Sequence, residues 1–118
     1  MKGIEIKQEE KYGAYIIRTA GYIDTMTAGE MEKAIEAAVN AKNHRVIVDL
    51  SGVDYISSAG WGIFVGYKKV LTKAKGDIKL CGLKTEVQEV YDVLDFTHIL
   101  ECYLDAERAA AAFDGKKK

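Results

Sequence analysis

The 118-residue sequence has no proline, only two cysteines and no stretch rich in Gly or Ser that could serve as a linker. It also lacks internal repeats and low-complexity segments. A chain of this length fits one compact domain with a core of its own. The sequence therefore predicts a single domain over residues 1–114 and a disordered basic tail over residues 115–118.

The two cysteines, Cys81 and Cys102, are too few and too widely spaced for a disulfide framework or a structural zinc site. We expect two buried free thiols, as in a cytosolic protein. The longest apolar runs are much shorter than the ~20 residues of a membrane-spanning helix. The first residues also lack the apolar segment of a signal peptide. The expected location is cytoplasmic, with no membrane partner.

Neither sign of charge is in excess. Seventeen Lys and Arg residues against 18 Asp and Glu residues give a formal net charge of −1. The apolar fraction of 48% and the charged fraction of 30% are ordinary for a soluble globular protein. Nothing in this balance indicates a nucleic acid as partner.

The N-terminal third has the pattern of paired strands. Ile4, Ile6 and Gln8 alternate with charged residues, and residues 14–19 are rich in β-forming types. Tyr12 and Gly13 lie between these segments and predict a turn. We therefore predict an N-terminal β-hairpin with a short continuation near Tyr22.

Four later segments have helical periodicity of apolar side chains, and they begin near Thr27, Ser58, Thr85 and Asp105. The first is predicted to end at residue 42 and the second at Gly76. Thr27 with Glu30, and Thr85 with Gln88, have the spacing of capping boxes. Asp105 is predicted to cap the last helix.

Apolar runs between the helices predict further strands, at residues 45–50, 77–81 and 99–103. The first is branched and almost wholly apolar, which is typical of a strand buried on both faces. The last is predicted at the edge of the sheet. The order β-β-α-β-α-β-α-β-α predicts an α/β layered domain with a mixed, mainly parallel sheet, an N-terminal hairpin and about four helices.

Catalytic chemistry has little support. A nucleophilic hydrolase needs a Ser or Cys, a base and a group that orients the base. His44 and His98 are the only histidines, and both are predicted at junctions between elements. His44 is expected at the end of the sheet opposite Ser57 and Ser58, and a G-x-S-x-G elbow is absent. We expect no catalytic residue and no enzymatic activity.

Cofactor and metal sites are not predicted either. Gly60-Trp61-Gly62 looks like the start of a dinucleotide fingerprint, but Gly66 comes one position too late and the Walker A motif is absent. No cluster of His, Cys, Asp or Glu has the spacing of metal ligands. We interpret the glycines as positions that let the second helix lie close to the sheet.

Two adjacent serines, Ser57 and Ser58, lie where the second helix is predicted to begin, at the end of a predicted loop over residues 51–60. A serine at this position can act simply as a helix cap. A phosphate on Ser58 would lie near free N–H groups and the positive end of the helix dipole, so the folded domain could carry it. Its charge of about −1.5 to −2 would act on whatever docks there. Composition alone leaves both interpretations open.

Three segments resemble the STAS-domain family, and they occur in the family's order. Residues 46–60, VIVDLSGVDYISSAG, resemble its signature of an apolar strand ending in D-L-S followed by S-S-A-G at a helix start. Residues 21–28, GYIDTMTA, resemble the motif G-x-[LI]-D-x-x-T-A, and residues 80–96 resemble the later strand and helix. The single domain is therefore similar to the anti-sigma factor antagonists of this family over nearly its whole length.

The resemblance implies a regulator of transcription that acts by protein–protein interaction. The unphosphorylated domain would bind an anti-sigma factor with serine kinase activity and so free a sigma factor. Phosphorylation would end the binding, and a serine phosphatase would restore it. The matched motif gives Ser58 as the phosphorylated residue, with Ser57 as the second choice because many members have Asp there. The implied partner-binding residues are Asp24, Thr25, Ser57, Ser58, Ala59, Gly60 and Trp61.

Other functions stay open at this point. The domain could serve as a scaffold or accessory subunit of a stress-sensing or transport assembly, or as a small-molecule sensor that binds its ligand at the carboxyl ends of the strands. Trp61 is either an exposed binding anchor or partly buried between helix and sheet. We expect a monomer, with the edge strand as the place where self-association would occur.

Overall fold

The structure is a computed structural model and describes residues 3–94 and 99–115, with side chains to residue 113. Within these ranges the elements are β1 (Ile4–Lys11), β2 (Ala14–Ile23), α1 (Ala28–Asn40), β3 (Arg45–Ile56), α2 (Ser58–Lys73), β4 (Asp77–Cys81), α3 (Thr85–Val93), β5 (Glu101–Tyr103) and α4 (Ala106–Gly115). The predicted order of elements is confirmed. His98, Phe96 and residues 116–118 of the predicted tail lie outside the described residues.

The strands form one sheet in the order β1-β2-β3-β4-β5. β1 and β2 are antiparallel, and the other neighbouring strands are parallel. The hairpin turns at Tyr12 and Gly13, whose φ angles of 59° and 76° are both left-handed, as a two-residue type I′ turn requires. The prediction of a mainly parallel sheet with an N-terminal hairpin is confirmed.

Helices cover both faces of the sheet. α1, α2 and α3 pack on one face, and α4 packs on the other. Adjacent residues of a strand therefore enter different cores: Val48 faces α1 and α2, whereas Ile47 faces α4. This two-sided burial is why the run at the start of β3 is almost continuously apolar.

β3 is longer than predicted. The predicted loop over residues 51–60 is wrong, because the strand continues to Ile56 and pairs there with Ile23. The pairing of β2 with β3 shifts register twice, between Arg18 and Ala20 and between Gly21 and Tyr22 of β2, and β3 has one extra residue at each shift. A Cβ on Gly52 would lie 2.7 Å from the Cβ of Ala20, so this glycine permits close strand approach and does not form a turn. Tertiary pairing has thus overridden the local turn signal of Ser51-Gly52.

The helix starts were predicted correctly, but both predicted capping boxes are wrong. Thr27 is the N-cap of α1 without a side-chain capping bond, because its hydroxyl donates to the Tyr22 carbonyl (2.7 Å). Thr85 is the first residue of α3, and Lys84 holds the cap position. The prediction for Asp105 is confirmed, since its Oδ1 accepts the Arg108 N–H at 2.9 Å.

A buried lysine lies beneath α4. Lys79, 2% exposed, contacts Asp77 Oδ2 at 3.0 Å and forms a second ion pair with Glu101. Its ammonium group also lies 4.8 Å from the centre of the Phe113 ring. These contacts satisfy a charge that would otherwise be strongly unfavourable inside the domain.

Candidate functional site

Two loops meet at the carboxyl ends of β2 and β3, because these strands are parallel neighbours that end together. Ile23 pairs with Ile56 at the ends of the two strands. The Ser57 N–H donates to the Ile23 carbonyl at 2.8 Å, so the segment after β3 is bonded directly to the end of β2. Asp24 follows β2 and Ser58 follows Ser57 after β3, so both residues lie at the same end of the sheet.

Ser57 is the N-cap of α2. Its backbone is extended (φ −80°, ψ 173°), and its Oγ accepts the Gly60 N–H at 3.3 Å. Its carbonyl accepts the Trp61 N–H at 3.0 Å and so begins the helix. The half-buried Ser57 hydroxyl is thus already engaged in holding the first turn.

Ser58 is the first helical residue, and its side chain is exposed. Within the described residues its hydroxyl makes no hydrogen bond, and neither do the backbone N–H groups of Ser58 and Ala59. The first turn of α2 carries no acidic residue. The helix end therefore presents a free hydroxyl beside unsatisfied donors and the positive end of the dipole.

Gly60 and Trp61 lie beneath this surface. A Cβ on Gly60 would be 2.7 Å from Ile23 Cγ2 and 2.8 Å from Ile56 Cγ2, so this glycine lets the first turn rest on the strand ends. Trp61 is only 2% exposed and packs edge-on against Phe64 and tilted against Tyr91. The interpretation of Trp61 as an exposed anchor is wrong, because the ring fills the space between α2 and α3.

The interpretation of the α2 glycines as positions that let the helix lie close to the sheet is correct for one of the three. Gly60 makes the close approach to the sheet described above. Gly62 and Gly66 are exposed, and a Cβ on either would meet nothing within 4 Å. Their absence of side chains is therefore not required by packing within the domain.

The loop after β2 is held by its own polar groups. Asp24 Oδ1 accepts the N–H groups of Met26 (2.9 Å) and Thr27 (3.1 Å), and the Asp24 N–H donates to Thr27 Oγ1 at 3.0 Å. Thr27 is buried, whereas Thr25 and Met26 are exposed. Asp24 thus shapes the loop, and the residues at its tip face the solvent.

Two exposed apolar side chains at this edge were missed by the sequence analysis. Met26 is 86% exposed at the loop tip, and Tyr55 is 50% exposed near the end of β3 with its ring 6.1 Å from that of Tyr22. Strict alternation would have placed Tyr55 on the same face as the buried Val53, and so inward. The exposure of Tyr55 follows from the register shift at Asp54, which breaks the alternation. No local pattern indicates Met26 either, since its exposure follows from the Asp24 turn.

The thiols are poorly suited to nucleophilic chemistry. Burial raises the pKa of Cys81 to about 12 and that of Cys102 to about 11, so both are protonated at neutral pH. Cys81 is buried as expected, whereas Cys102 is only partly so. His44 precedes β3 and thus lies at the opposite end of that strand from Ser57 and Ser58.

In residues 3–94 and 99–115, no group of three or more His, Cys, Asp or Glu residues is arranged to hold a metal ion. None of the helices in these ranges has the length and apolar character needed to cross a membrane.

Comparison with known proteins identifies the family. A family model for the STAS domain matches residues 5–109. BtrV of Bordetella bronchiseptica is 36% identical over 101 residues, which cover 86% of this chain and 87% of that protein. The anti-sigma-B factor antagonist of Listeria monocytogenes is 31% identical over 98 residues, covering 83% and 85%. The chain belongs to the STAS-domain family of anti-sigma factor antagonists.

The fold of this STAS domain is shared with solved members of the family. An anti-sigma factor antagonist from Mycobacterium paratuberculosis superposes with a TM-score of 0.85 at 22% identity, covering 94% of each chain. The phosphorylated form of SpoIIAA from Bacillus superposes with a TM-score of 0.67 at 16% identity, covering 92% of this chain and 97% of the other. At these identities the likeness concerns the fold of the STAS domain.

Proposed function

We propose that this STAS domain is an anti-sigma factor antagonist switched by phosphorylation of Ser58. With Ser58 unmodified, it binds an anti-sigma factor that has serine kinase activity, and a sigma factor is freed. Phosphorylation of Ser58 by that kinase ends the binding, and a serine phosphatase restores it. The protein acts in the cytoplasm. The observation that carries the proposal is the exposed, unbonded Ser58 hydroxyl at the start of α2.

The geometry favours Ser58 over Ser57 as the modified residue. The Ser57 hydroxyl caps the helix through Gly60, and removing such a cap costs about 1 kcal/mol. A kinase would have to displace that bond before the oxygen could attack a phosphate. The Ser58 hydroxyl is exposed and makes no such bond in the described chain, so a kinase can reach it with the helix intact.

The helix start also favours retention of the fold after phosphorylation. A dianion at the first turn would lie beside the N–H groups of Ser58 and Ala59, and an anion at a helix N-terminus gains about 0.3–1 kcal/mol. No acidic side chain in that turn opposes it. The added charge would therefore change what docks there more than it changes the stability of the domain.

The proposed docking surface combines both loops. Ser58 and Ala59 are its proposed centre, and the exposed Thr25 and Met26 of the loop after β2 and the exposed Tyr55 near the end of β3 are proposed to extend it. Met26 and Tyr55 offer apolar contact area, which the buried parts of interfaces commonly use. Gly60 and Trp61 support the surface from below without reaching the partner, and Asp24 holds the loop in shape.

Intact-mass measurement tests the modified residue. The domain is incubated with ATP and the anti-sigma kinase of its host, and one added phosphate is expected. Ser58→Ala should abolish the addition, whereas Ser57→Ala should keep it, because only the cap is lost. Retained phosphorylation in Ser58→Ala together with its loss in Ser57→Ala would assign the switch to Ser57. No phosphorylation of the wild type would favour the scaffold function instead.

A binding titration tests the effect of the charge. Ser58→Asp should weaken binding to the anti-sigma factor by at least tenfold while the melting temperature stays within a few degrees of wild type. Thr72→Asp is the matched control, since it adds the same charge to an exposed position of α2 about 21 Å further along the helix. It should bind like wild type. If Ser58→Asp mainly unfolds the domain, the role of Ser58 is structural and the proposal fails.

A further inference from the structure

Among the strands of residues 3–94 and 99–115, the outer strand β1 has one neighbour in the sheet. Ile4–Lys11 pairs with β2 along its whole length, and its other edge is open. Open edges with unpaired N–H and C=O groups are sites where a further strand can add. What can add to this edge depends on which residues point their backbone groups outward and which side chains flank them.

The hairpin determines which backbone groups of β1 face outward. The two-residue turn closes on the pair Lys11 and Ala14, which is a hydrogen-bonded pair in such hairpins. At the other end the Gly3 carbonyl accepts the Tyr22 N–H at 2.9 Å. Odd-numbered residues therefore bond to β2, and the N–H and C=O groups of residues 4, 6, 8 and 10 point away from the sheet.

The odd-numbered side chains of β1 share one face and alternate in charge: Glu5, Lys7, Glu9 and Lys11. Charges on an edge strand ordinarily prevent pairing with another chain. An alternating series behaves differently, since it repels a neighbour in some registers and attracts it in others. An antiparallel copy of the same series is complementary to it in one central register.

That register has its two-fold axis at Gln8. It places Glu5 opposite Lys11 of the second copy and Lys7 opposite the second copy's Glu9, so four opposite-charge pairs form across the axis. The hydrogen-bonded positions are then the even-numbered residues, as the open edge requires. A shift of two residues either way sets Lys7 opposite Lys7, or Glu9 opposite Glu9, and like charges directly opposite are unfavourable.

We propose that two copies of this domain associate through antiparallel pairing of their β1 strands about Gln8, which joins two five-stranded sheets into one of ten strands. This inference goes beyond the phosphorylation switch and replaces the expectation of a monomer. It concerns the isolated protein, so its failure would leave the function proposed for Ser58 untouched.

Glu5 and Lys11 are suited to a test because the residues directly opposite them on β2 are neutral. Glu5 lies opposite Ala20 and Lys11 opposite Ala14 on β2, so reversal of either charge creates no repulsion with a side chain directly opposite. Glu9 is unsuitable, since it contacts Arg18 at 2.6 Å within the same chain.

Sedimentation equilibrium over concentrations up to about 1 mM measures the association. The wild type should approach twice the 13.0 kDa mass of the chain. Glu5→Lys and Lys11→Glu should each weaken association about tenfold or more, because two attractive pairs per dimer become repulsive. An equimolar mixture of the two variants should associate again, since every pair in the mixed dimer is complementary. Glu36→Lys and Lys69→Glu are exposed controls on α1 and α2 and should behave like wild type.

Gln8→Pro tests the backbone part of the proposal. It removes an outward N–H at the axis and leaves the bonds to β2 in place, so the variant should be a folded monomer by circular dichroism and sedimentation. A wild type that stays monomeric up to about 1 mM would overturn the proposal. A mixture of Glu5→Lys and Lys11→Glu that associates no better than either variant alone would overturn it as well, whatever Gln8→Pro does.

Discussion

The three glycines of α2 provide a sharp test of how the site is built, because the same substitution should have opposite effects at different positions. Gly60→Ala places a methyl group 2.7 Å from Ile23 Cγ2 and 2.8 Å from Ile56 Cγ2. Both isoleucines are buried and β-branched, so neither can turn away easily. Gly66→Ala adds the same group where nothing lies within 4 Å.

The magnitudes follow from two opposing contributions. Overpacking of a filled site costs about 1–3 kcal/mol, whereas Gly to Ala in a helix gains up to about 1 kcal/mol. Gly60→Ala should therefore lower the free energy of unfolding by about 1 kcal/mol. Gly66→Ala should raise it by about 0.5–1 kcal/mol. For a domain of this size, 1 kcal/mol corresponds to a change in melting temperature of about 4 °C.

Thermal and urea unfolding of both variants measures the difference directly. Gly60→Ala should also slow phosphorylation of Ser58, because the added methyl group displaces the turn that carries the hydroxyl. Gly66→Ala should leave the phosphorylation rate unchanged unless the partner contacts that side of α2. A Gly60→Ala protein that is as stable as wild type, or a Gly66→Ala protein that is less stable, would refute the packing described at the strand ends.

Three further predictions concern the loop, the buried ion pairs and the thiols. Thr27→Val should lower the free energy of unfolding by about 1–3 kcal/mol, because its buried hydroxyl bonds the Tyr22 carbonyl; urea unfolding measures this. Hydrogen bonds from Lys79 and Tyr103 lower the pKa of the Glu101 carboxyl. The stabilisation it provides is present above its unfolded pKa and is lost as the pH falls through the folded one, so Glu101→Gln should flatten the loss of stability below about pH 5. At pH 8, Cys102 should react with a thiol reagent about a hundredfold more slowly in the native protein than in urea, because burial raises its pKa to about 11.

Each of these has a control or a contrary outcome. Thr25→Val changes an exposed threonine in the same loop and should alter stability by less than about 0.5 kcal/mol. An equal loss in both variants would contradict the role of the Thr27 hydroxyl. Identical pH profiles for wild type and Glu101→Gln would contradict the contribution of the Lys79 pair. Equal thiol reactivity before and after unfolding would show that Cys102 is accessible in the folded domain.

The sequence was sufficient for the order and type of the elements, because each segment has a clear period and most ends carry a recognisable residue. Asp105 is one such residue, and its cap was predicted correctly. Local signals failed where a tertiary contact decided the outcome. Ser51-Gly52 has turn chemistry but lies inside β3, since β2 provides a pairing partner there.

The candidate site was predictable in position more than in detail. Residue type could not distinguish a capping serine from an exposed one, because that depends on which of Ser57 and Ser58 is the first helical residue. Trp61 was ambiguous for a similar reason: its exposure depends on where α3 packs, and no local pattern gives that. The three helix glycines look alike in the sequence, and only the neighbouring strand ends separate Gly60 from the others.

The bond from Ser57 to Ile23 and the contact of Gly60 with the same isoleucine have a kinetic consequence. They tie the two loops together at the strand ends, so we expect the proposed docking surface to be largely preformed and little conformational entropy to be lost when a partner binds. Association should then proceed at the rate usual for preformed surfaces, with or without the phosphate. The switch would act on how long the complex lasts, and the difference between its two states should be found mainly in the dissociation rate.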